Sequence, residues 1–495
     1  MKIVIATPEA VPFAKTGGLA DVTGALLNEY RKMKEEAYLV MPLYGRVREN
    51  FKLRDTGLGI SVHMGNRKVK GRIFSYDPLS SESCPRRHEA DKASAYFIEC
   101  DEFFDREEIY GTPRGDYPDN AARFIFFSRS VLEACRALEF EPDIIHCNDW
   151  QTGLIPLYLK AVYSSDKFFD RTASIITIHN LGYQGLFPQS DMPLTGFDRS
   201  LFTPEGIEFY GKINFLKAGL ISADSITTVS NNYAKEILRW EYGFGLDGVL
   251  RKRVSVLTGI INGIDLKEWN PESDAFIKSN YSLKDIVGKK NCKLQLLKEC
   301  SVRTDAEMPL IGMVGRLSGQ KGFDLILESL DEILSSGANL IILGRGDEMF
   351  HRRLSSAAEK HKGRMYVKVG FEDSLAHKIY AGSDIFLMPS RYEPCGIGQL
   401  IAMRYGTIPV ARRTGGLADT ISDYLPLEDE GTGFLFSDYT ADALQDCLKR
   451  ALGAYVNKAR WKKLIHSAMK MNFSWSDSAK RYIELYNKVV RMKRQ

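Results

Sequence analysis

Thr16-Gly17-Gly18-Leu19-Ala20-Asp21 recurs residue for residue as Thr414-Gly415-Gly416-Leu417-Ala418-Asp419. Each copy follows a short apolar run, Ile3-Val4-Ile5-Ala6 before the first and Ile408-Pro409-Val410-Ala411 before the second. The first opens onto Leu19, Val22 and Leu26, a helical spacing. A strand that passes through paired glycines into a helix brings backbone N–H groups up to phosphate. One such turn near each end of the chain predicts two Rossmann-like halves facing each other across a cleft. A tight turn with no ligand explains a single copy equally well, so the rest of the chain must decide.

Its 495 residues exceed what one core of roughly 250–300 residues sustains, which predicts two domains. Hydrophobic residues make up 44% and charged residues 26%, as in ordinary soluble proteins. A net charge of +4, from 67 basic and 63 acidic residues, is too balanced for a protein built to bind nucleic acid. The eight cysteines, at 84, 100, 135, 147, 292, 300, 395 and 447, form no Cys-x-x-Cys pair and read as free thiols in a reducing compartment. No run of about 18 apolar residues spans a membrane, and the first residues lack the pattern of a signal peptide. A cytoplasmic, bacterial setting is expected.

Apolar runs alternate with amphipathic stretches along the whole length. In the first half they are Ala37–Met41, Ala95–Ile98, Asp143–Cys147, Ala173–Ile178 and Ser225–Val229. In the second they are Leu310–Val314, Asn339–Leu343, Met365–Val369, Ile385–Met388 and Ile408–Ala411. Continuous apolar strands separated by helices point to parallel sheets buried on both faces, a doubly wound α/β fold formed twice. The Asn262-Gly263 turn signal places the boundary near Leu257–Asp265. The expected domains are 1–258, 259–473 and a C-terminal helix 474–495 returning to the first domain, with Tyr482, Ile483, Leu485, Tyr486, Val489 and Val490 at helical spacing.

Ligands of parallel sheets sit beyond the carboxyl ends of the strands, and polar residues gather there. Asn148-Asp149-Trp150 follows one strand and His179-Asn180 another. Gly315-Arg316, with Lys321 downstream, follows a third, and Arg391-Tyr392-Glu393-Pro394-Cys395-Gly396 a fourth. Singly, each has a plain structural explanation. His179 could be a satisfied strand-end imidazole, Arg316 and Lys321 solvated charges, Asp149 a helix cap, and Glu393 a helix cap or a partner of Arg391. Together they suit an anionic, sugar-bearing ligand. Arg316 and Lys321 can neutralise a diphosphate leaving group. Gly17, Gly18 and the helix start near Gly396 can supply N–H donors, and Glu393, His179, Asn180 and Asp149 can bind sugar hydroxyls. There is no Asp-x-Asp, no metal-spaced His/Cys cluster, no Gly-x-Gly-x-x-Gly and no Walker lysine. No metal and no cofactor is called for.

These residues resemble the bacterial glycogen synthases and plant starch synthases over nearly the whole chain. The resemblance is carried by Lys15–Val22, His179–Gly185, Phe215–Leu220, Ile261–Asp265, Gly315–Leu317 with Gln320–Gly322, Glu393–Gly396 and Arg412–Asp419. It implies a GT-B fold and retaining transfer of glucose from ADP-glucose to the non-reducing end of an α-1,4-glucan such as glycogen. It implies no nucleic-acid or membrane partner. By similarity Lys15 and Gly18 approach the diphosphate, Gly17 and Asp21 of the same loop are substrate-binding, and Arg316 and Lys321 hold the diphosphate as it leaves. His179, Asn180 and Glu393, with the backbone of Cys395, Gly396 and Ile397, contact the donor glucose. Asp149, Trp150, Tyr110 and Asn262 line the sugar site, and Phe371 stacks on adenine. The catalytic set is thus Glu393, His179, Arg316, Lys321 and Asp149.

Three positions depart from the family pattern. A second glutamate eight residues after the first is replaced by Ile401, a threonine by Gly398, and the histidine after Trp150 by Gln151. Two alternatives stay open at this point, a UDP-glucose or small-acceptor transferase and a catalytically silent glucan- or ADP-glucose-binding protein; a phosphorylase would need pyridoxal phosphate on a lysine, and no match to its motifs appears.

Overall fold

A computed structural model describes residues 1–77, 94–112 and 115–495. Residues Met1–Val229, Ala234–Ile260 and Trp475–Gln495 form one compact unit, and Ser230–Tyr233 with Ile261–Ser474 form a second.

The first unit is built on a nine-stranded sheet. Its strands run in the order Leu257–Gly259, Ser225–Thr228, Ala173–Ile178, Ile144–Asn148, Lys2–Ala6, Glu36–Pro42, Ala95–Glu99, Arg67–Tyr76 and Arg54–Met64. The first seven are parallel neighbours, with Ala6 opposite Cys147 and Asn148 opposite Thr177. Ile3, Val4, Ile5 and Ala6 are all buried, as a strand covered on both faces requires. The edge departs from this pattern. Arg67–Tyr76 alternates buried Val69 and Ile73 with exposed neighbours and pairs antiparallel with both Ala95–Glu99 and Arg54–Met64. A small antiparallel sheet of Leu186–Pro188, Glu208–Phe209 and Lys212–Asn214 stands apart from the main one.

The second unit carries six parallel strands in the order Met365–Val369, Asn339–Gly344, Leu310–Val314, Ile385–Met388, Ile408–Arg412 and Phe434–Phe436. Its core gathers Leu310, Ile311, Leu340, Ile341, Phe386, Ile408 and Val410.

Strand order reverses direction once within the parallel part of each sheet. In the first unit this happens between Lys2–Ala6 and Ile144–Asn148, and in the second between Leu310–Val314 and Ile385–Met388. Loops leaving adjacent strands there diverge to opposite faces and open a crevice at their carboxyl ends.

The helix Trp475–Lys493 packs on the helix Gly18–Lys32. A buried polar chain fixes it. Tyr30 and Tyr486 share a hydrogen bond of 2.8 Å between hydroxyls, and Tyr486 OH meets His146 Nδ1 at 2.7 Å. His146 Nε2 meets Thr177 Oγ1 at 2.6 Å, which meets Thr227 Oγ1 at 2.6 Å. Burial pushes the His146 pKa down to about 3, so the ring is neutral, with one donor and one acceptor nitrogen to match its two partners.

Among the described residues seven cysteines are free and buried; Cys84 lies outside them. No helix among them is long and apolar enough to cross a membrane.

Replacing Tyr486 by Phe deletes the hydroxyl in the middle of this chain and strands two buried groups, Tyr30 OH and His146 Nδ1. The expected loss is about 1–3 kcal/mol, read as a lower urea midpoint at unchanged slope. An unchanged midpoint would show that the chain contributes nothing to docking the terminal helix.

Candidate functional site

In the first unit, three loops leave the sheet next to its reversal point. Asp149 follows the strand Ile144–Asn148 in a left-handed conformation, φ +56°, which is uncommon outside glycine. Its carboxylate turns toward the next loop, accepting from His179 N at 2.7 Å and from the main chain of Asn180. It makes no hydrogen bond to the short helical turn it precedes, so it is not a cap. His179 Nε2 meets Asn148 Oδ1 at 2.9 Å, fixing the ring. Trp150 packs edge-on to Phe124 at 4.9 Å and beneath Gly185, where an added Cβ would lie 2.5 Å from the indole.

Glu9, which the sequence reading passed over, organises the loop before the first hexapeptide. It is 3% exposed. Its carboxylate accepts from Thr16 N, from Gly17 N at 3.2 Å, from Thr16 Oγ1 at 2.7 Å and from Tyr110 OH. Lys15 Nζ pairs with Asp21 Oδ1 at 2.7 Å on the exposed side of the same loop. Gly17 has ordinary extended dihedrals and no atom within 4 Å of an added Cβ. Neither backbone strain nor packing calls for glycine there, and Gly18 begins the helix directly after it. The omitted side chain leaves that helix start open to an anion.

The electrostatics follow from burial. Asp149 is pushed up to about 7, mainly because a charge there is desolvated and in part because Glu9 lies nearby, against the pull of the two main-chain donors. Desolvation pushes His179 down to about 3, so it acts as a neutral imidazole.

In the second unit, Glu393 is 5% exposed and its carboxylate accepts from Lys321 Nζ at 2.6 Å and Ser390 Oγ at 3.0 Å. The two loops flanking the reversal point are tied by Arg391 N to Gln320 O at 2.8 Å and Gln320 Nε2 to Tyr392 O at 3.3 Å. Both plain explanations of Glu393 fail. Arg391 pairs with Asp324, and the helix Gly398–Arg404 is preceded by Ile397 with no side-chain cap. Arg316 is exposed just beyond the strand Leu310–Val314. The Cys395 thiol meets the main chain of Asn262, and burial pushes it up to about 12, so it stays protonated and cannot serve as a nucleophile. Asn262 is buried beside it, Gly396 is left-handed at φ +74°, and Phe371 is 80% exposed past the strand Met365–Val369.

The second hexapeptide does a different job from the first. An added Cβ at Gly415 would sit 1.9 Å from Glu393 O, and one at Gly416 2.0 Å from Cys395 O. Gly416 N donates to Glu393 O and Pro394 O, both at 3.1 Å. These glycines are required so that the Glu393–Cys395 backbone can lie against them, and the Gly416 N–H is already used. The expectation of a phosphate turn at both copies is corrected here: only the first is open.

The structure also accounts for the departures. A Cβ at Gly398 would come within 2.9 Å of the Phe386 ring, so the ring occupies the space a threonine needs. Ile401 lies in the hydrophobic core, where a carboxylate would be desolvated. Gln151 is buried, and its Oε1 has no hydrogen-bond partner among the described residues.

Two doubly wound units, each with phosphate- and sugar-competent side chains at its strand-order reversal, are the architecture of the GT-B glycosyltransferases. Residues 2–252 match the family model described as starch synthase catalytic domain, and residues 301–465 match glycosyl transferases group 1. A glycogen synthase of Thermodesulfovibrio yellowstonii is 46% identical over 99% of this chain and 98% of its own. The solved catalytic domain of starch synthase IV from Arabidopsis thaliana, bound to ADP and acarbose, superimposes with a TM-score of 0.87 at 31% identity, over 99% of both chains. Sucrose-phosphate synthase of Thermosynechococcus elongatus shares the fold, with a TM-score of 0.58 at 18% identity over 99% of both chains. The chain belongs to the glycogen synthase and starch synthase family of retaining glycosyltransferases, which use a nucleotide-sugar donor and a glucan acceptor.

If Asp149 works as a carboxylate acceptor for a sugar hydroxyl, transfer should rise with pH through about 7, the value to which burial moves this group. Asp149→Asn should remove that limb from the kcat/KM profile; a limb that persists in the variant would assign it to another group. Cys395→Ser should keep transfer activity, since a thiol pushed up to about 12 supplies no thiolate.

Proposed function

We propose that the chain transfers glucose from ADP-glucose to the non-reducing end of an α-1,4-glucan such as glycogen, with retention at the anomeric carbon. The observation that carries this reading is the Lys321–Glu393 pair: a buried carboxylate held at 2.6 Å by a lysine, on two tied loops at a strand-order reversal. A surface ion pair has no reason to be desolvated there. A donor with a diphosphate and a glucose offers each member a partner of its own.

Arg316 and Lys321 take the diphosphate and offset charge that grows on it as the glycosidic bond breaks. Glu393 positions glucose hydroxyls and stabilises positive charge on the ring. The main chain at Cys395, Gly396 and Ile397 follows it directly, at the start of the helix Gly398–Arg404. In the first unit Lys15, held by Asp21, supplies positive charge for phosphate, and the helix start at Gly18, left open by the missing Gly17 side chain, supplies N–H donors. His179, Asn180, Asp149, Trp150 and Tyr110 supply the sugar contacts there, and Asn262 does so in the second unit. Retention is assigned to attack on the face that the leaving group vacates, through an oxocarbenium-like transition state. A double displacement would need a carboxylate placed as nucleophile, whereas Glu393 is engaged with Lys321 and Ser390.

The choice of ADP rests on the likeness to the starch synthase that holds ADP, with Phe371 offering an exposed ring for the base. The cytoplasm is the proposed compartment, which the free thiols among the described residues suit.

The test is ADP release from ADP-glucose with and without glycogen, beside UDP-glucose, with label followed into polymer. Glycogen-dependent ADP release with glucose in the polymer is expected. Lys321→Ala and Arg316→Ala should each lower turnover about a hundredfold or more, and near-wild-type turnover in both would sink the assignment. Binding of ADP-glucose without release from either donor would identify a silent binding protein instead.

A further inference from the structure

Three loop tips of the first unit converge on one buried side chain, Gln184, and each carries an exposed aromatic ring. Gln184 is 7% exposed, and its side-chain hydrogen bonds tie loops together. Its Nε2 donates to Leu181 O at 3.2 Å and to Phe244 O at 3.0 Å, and its Oε1 accepts from Asn214 Nδ2 at 2.6 Å. The first tip is the turn Asn180–Gly185, which holds Tyr183, 51% exposed. The second is the tip of the antiparallel ribbon between Glu208–Phe209 and Lys212–Asn214, which holds Tyr210, 84% exposed. The third holds Phe244, 38% exposed, and Gly245 there abuts the second tip: an added Cβ would lie 2.8 Å from the Phe209 ring and 3.5 Å from the Tyr210 ring.

Local turn geometry fixes the backbone that carries two of the rings. Tyr210 and Phe244 have φ of +49° and +47°, a region that bulky residues seldom enter. The two-residue hairpin loop Tyr210-Gly211 between Phe209 and Lys212 requires positive φ at both positions, and Phe244 is the left-handed cap of the helix Trp240–Gly243, so the turns themselves hold both residues in place. An exposed aromatic on a braced loop suits a ligand that takes up the ring face.

We propose that Tyr183, Tyr210 and Phe244 form a shelf that binds a run of sugars of the glucan acceptor beyond its reacting end. The proposal rests on the glucan-acceptor reading. Continuity argues for this occupant, because the shelf begins in the turn that Asn180 opens. Tyr183 N donates to Asn180 O at 3.1 Å, and Gly182 N donates to Asn180 Oδ1 at 3.0 Å. Uncharged aromatic faces suit the C–H faces of pyranose rings, a neutral polymer, better than they suit an anion. A second copy of the chain is the rival occupant.

The experiment compares wild type with the double variant Tyr210→Ala/Phe244→Asn. Asn tolerates the left-handed backbone at 244, and Tyr210 lies far out in solvent, so the fold is kept. In native gels containing glycogen the double variant should lose about tenfold in affinity, the worth of two stacking rings, and its KM for glycogen should rise by about the same factor. KM for maltotriose and for the donor should stay within about twofold, which a general loss of structure would not allow. Tyr210→Phe, which keeps the ring, should behave as wild type. Glycogen affinity unchanged in the double variant would overturn the shelf. So would a changed oligomeric state with glycogen affinity kept, which would assign the rings to contact between copies. A wild type that binds glycogen through these rings yet releases no ADP would sink the proposed function and leave the shelf standing.

Discussion

A carboxylate taken out of water must be met by donors or take up a proton, and three such groups organise both units. Glu9 is met by two main-chain N–H groups and two hydroxyls. Asp149 is met by the main chain of His179 and Asn180 and moves toward protonation. Glu393 is met by an ammonium and a hydroxyl. The donors come from loops that follow different strands, so satisfying each charge also fixes how those loops lie. Lose Glu9, and Thr16, Gly17 and Tyr110 lose their common anchor. The positions of the sugar- and phosphate-facing groups follow from this requirement more than from local propensity.

The ten strands read from apolar runs are all present, because a strand buried on both faces leaves an unbroken hydrophobic signature. The antiparallel edge was not legible in the same way. Arg54–Met64 and Arg67–Tyr76 alternate in and out, and their lysines and arginines mask the apolar half of the pattern. The candidate residues lie beyond the carboxyl ends of the strands where the sequence put them, since position relative to the sheet is a property of sequence order. Glu9 also lies at a strand end, three residues past Ala6, and the same criterion applied to the first strand would have found it. What no spacing rule could reveal is the divergence of the two hexapeptides. Identical residues face open space at one end of the chain and the Glu393–Cys395 backbone at the other, and only the long-range packing separates them.

The protonation states make a coherent set. His179 is neutral, Asp149 sits near its midpoint at neutral pH, and the Cys395 thiol is locked in its protonated form. Burial thus controls which of these groups stay neutral, and neutral groups meet a ligand by hydrogen bonds where the lysines and arginines meet one by charge.

The first unit is discontinuous: its last piece, Trp475–Gln495, is separated from the rest by Ile261–Ser474 of the second. During synthesis the ribosome therefore releases a first unit that lacks one helix, with Tyr30 and His146 waiting for Tyr486. The face on which that helix packs stays uncovered until Trp475–Lys493 has emerged, while the second unit already has all of its strands. The domain made first is completed last. A nascent chain stalled before Trp475 would leave the helix Gly18–Lys32 without its partner, and Tyr30 and His146 without theirs.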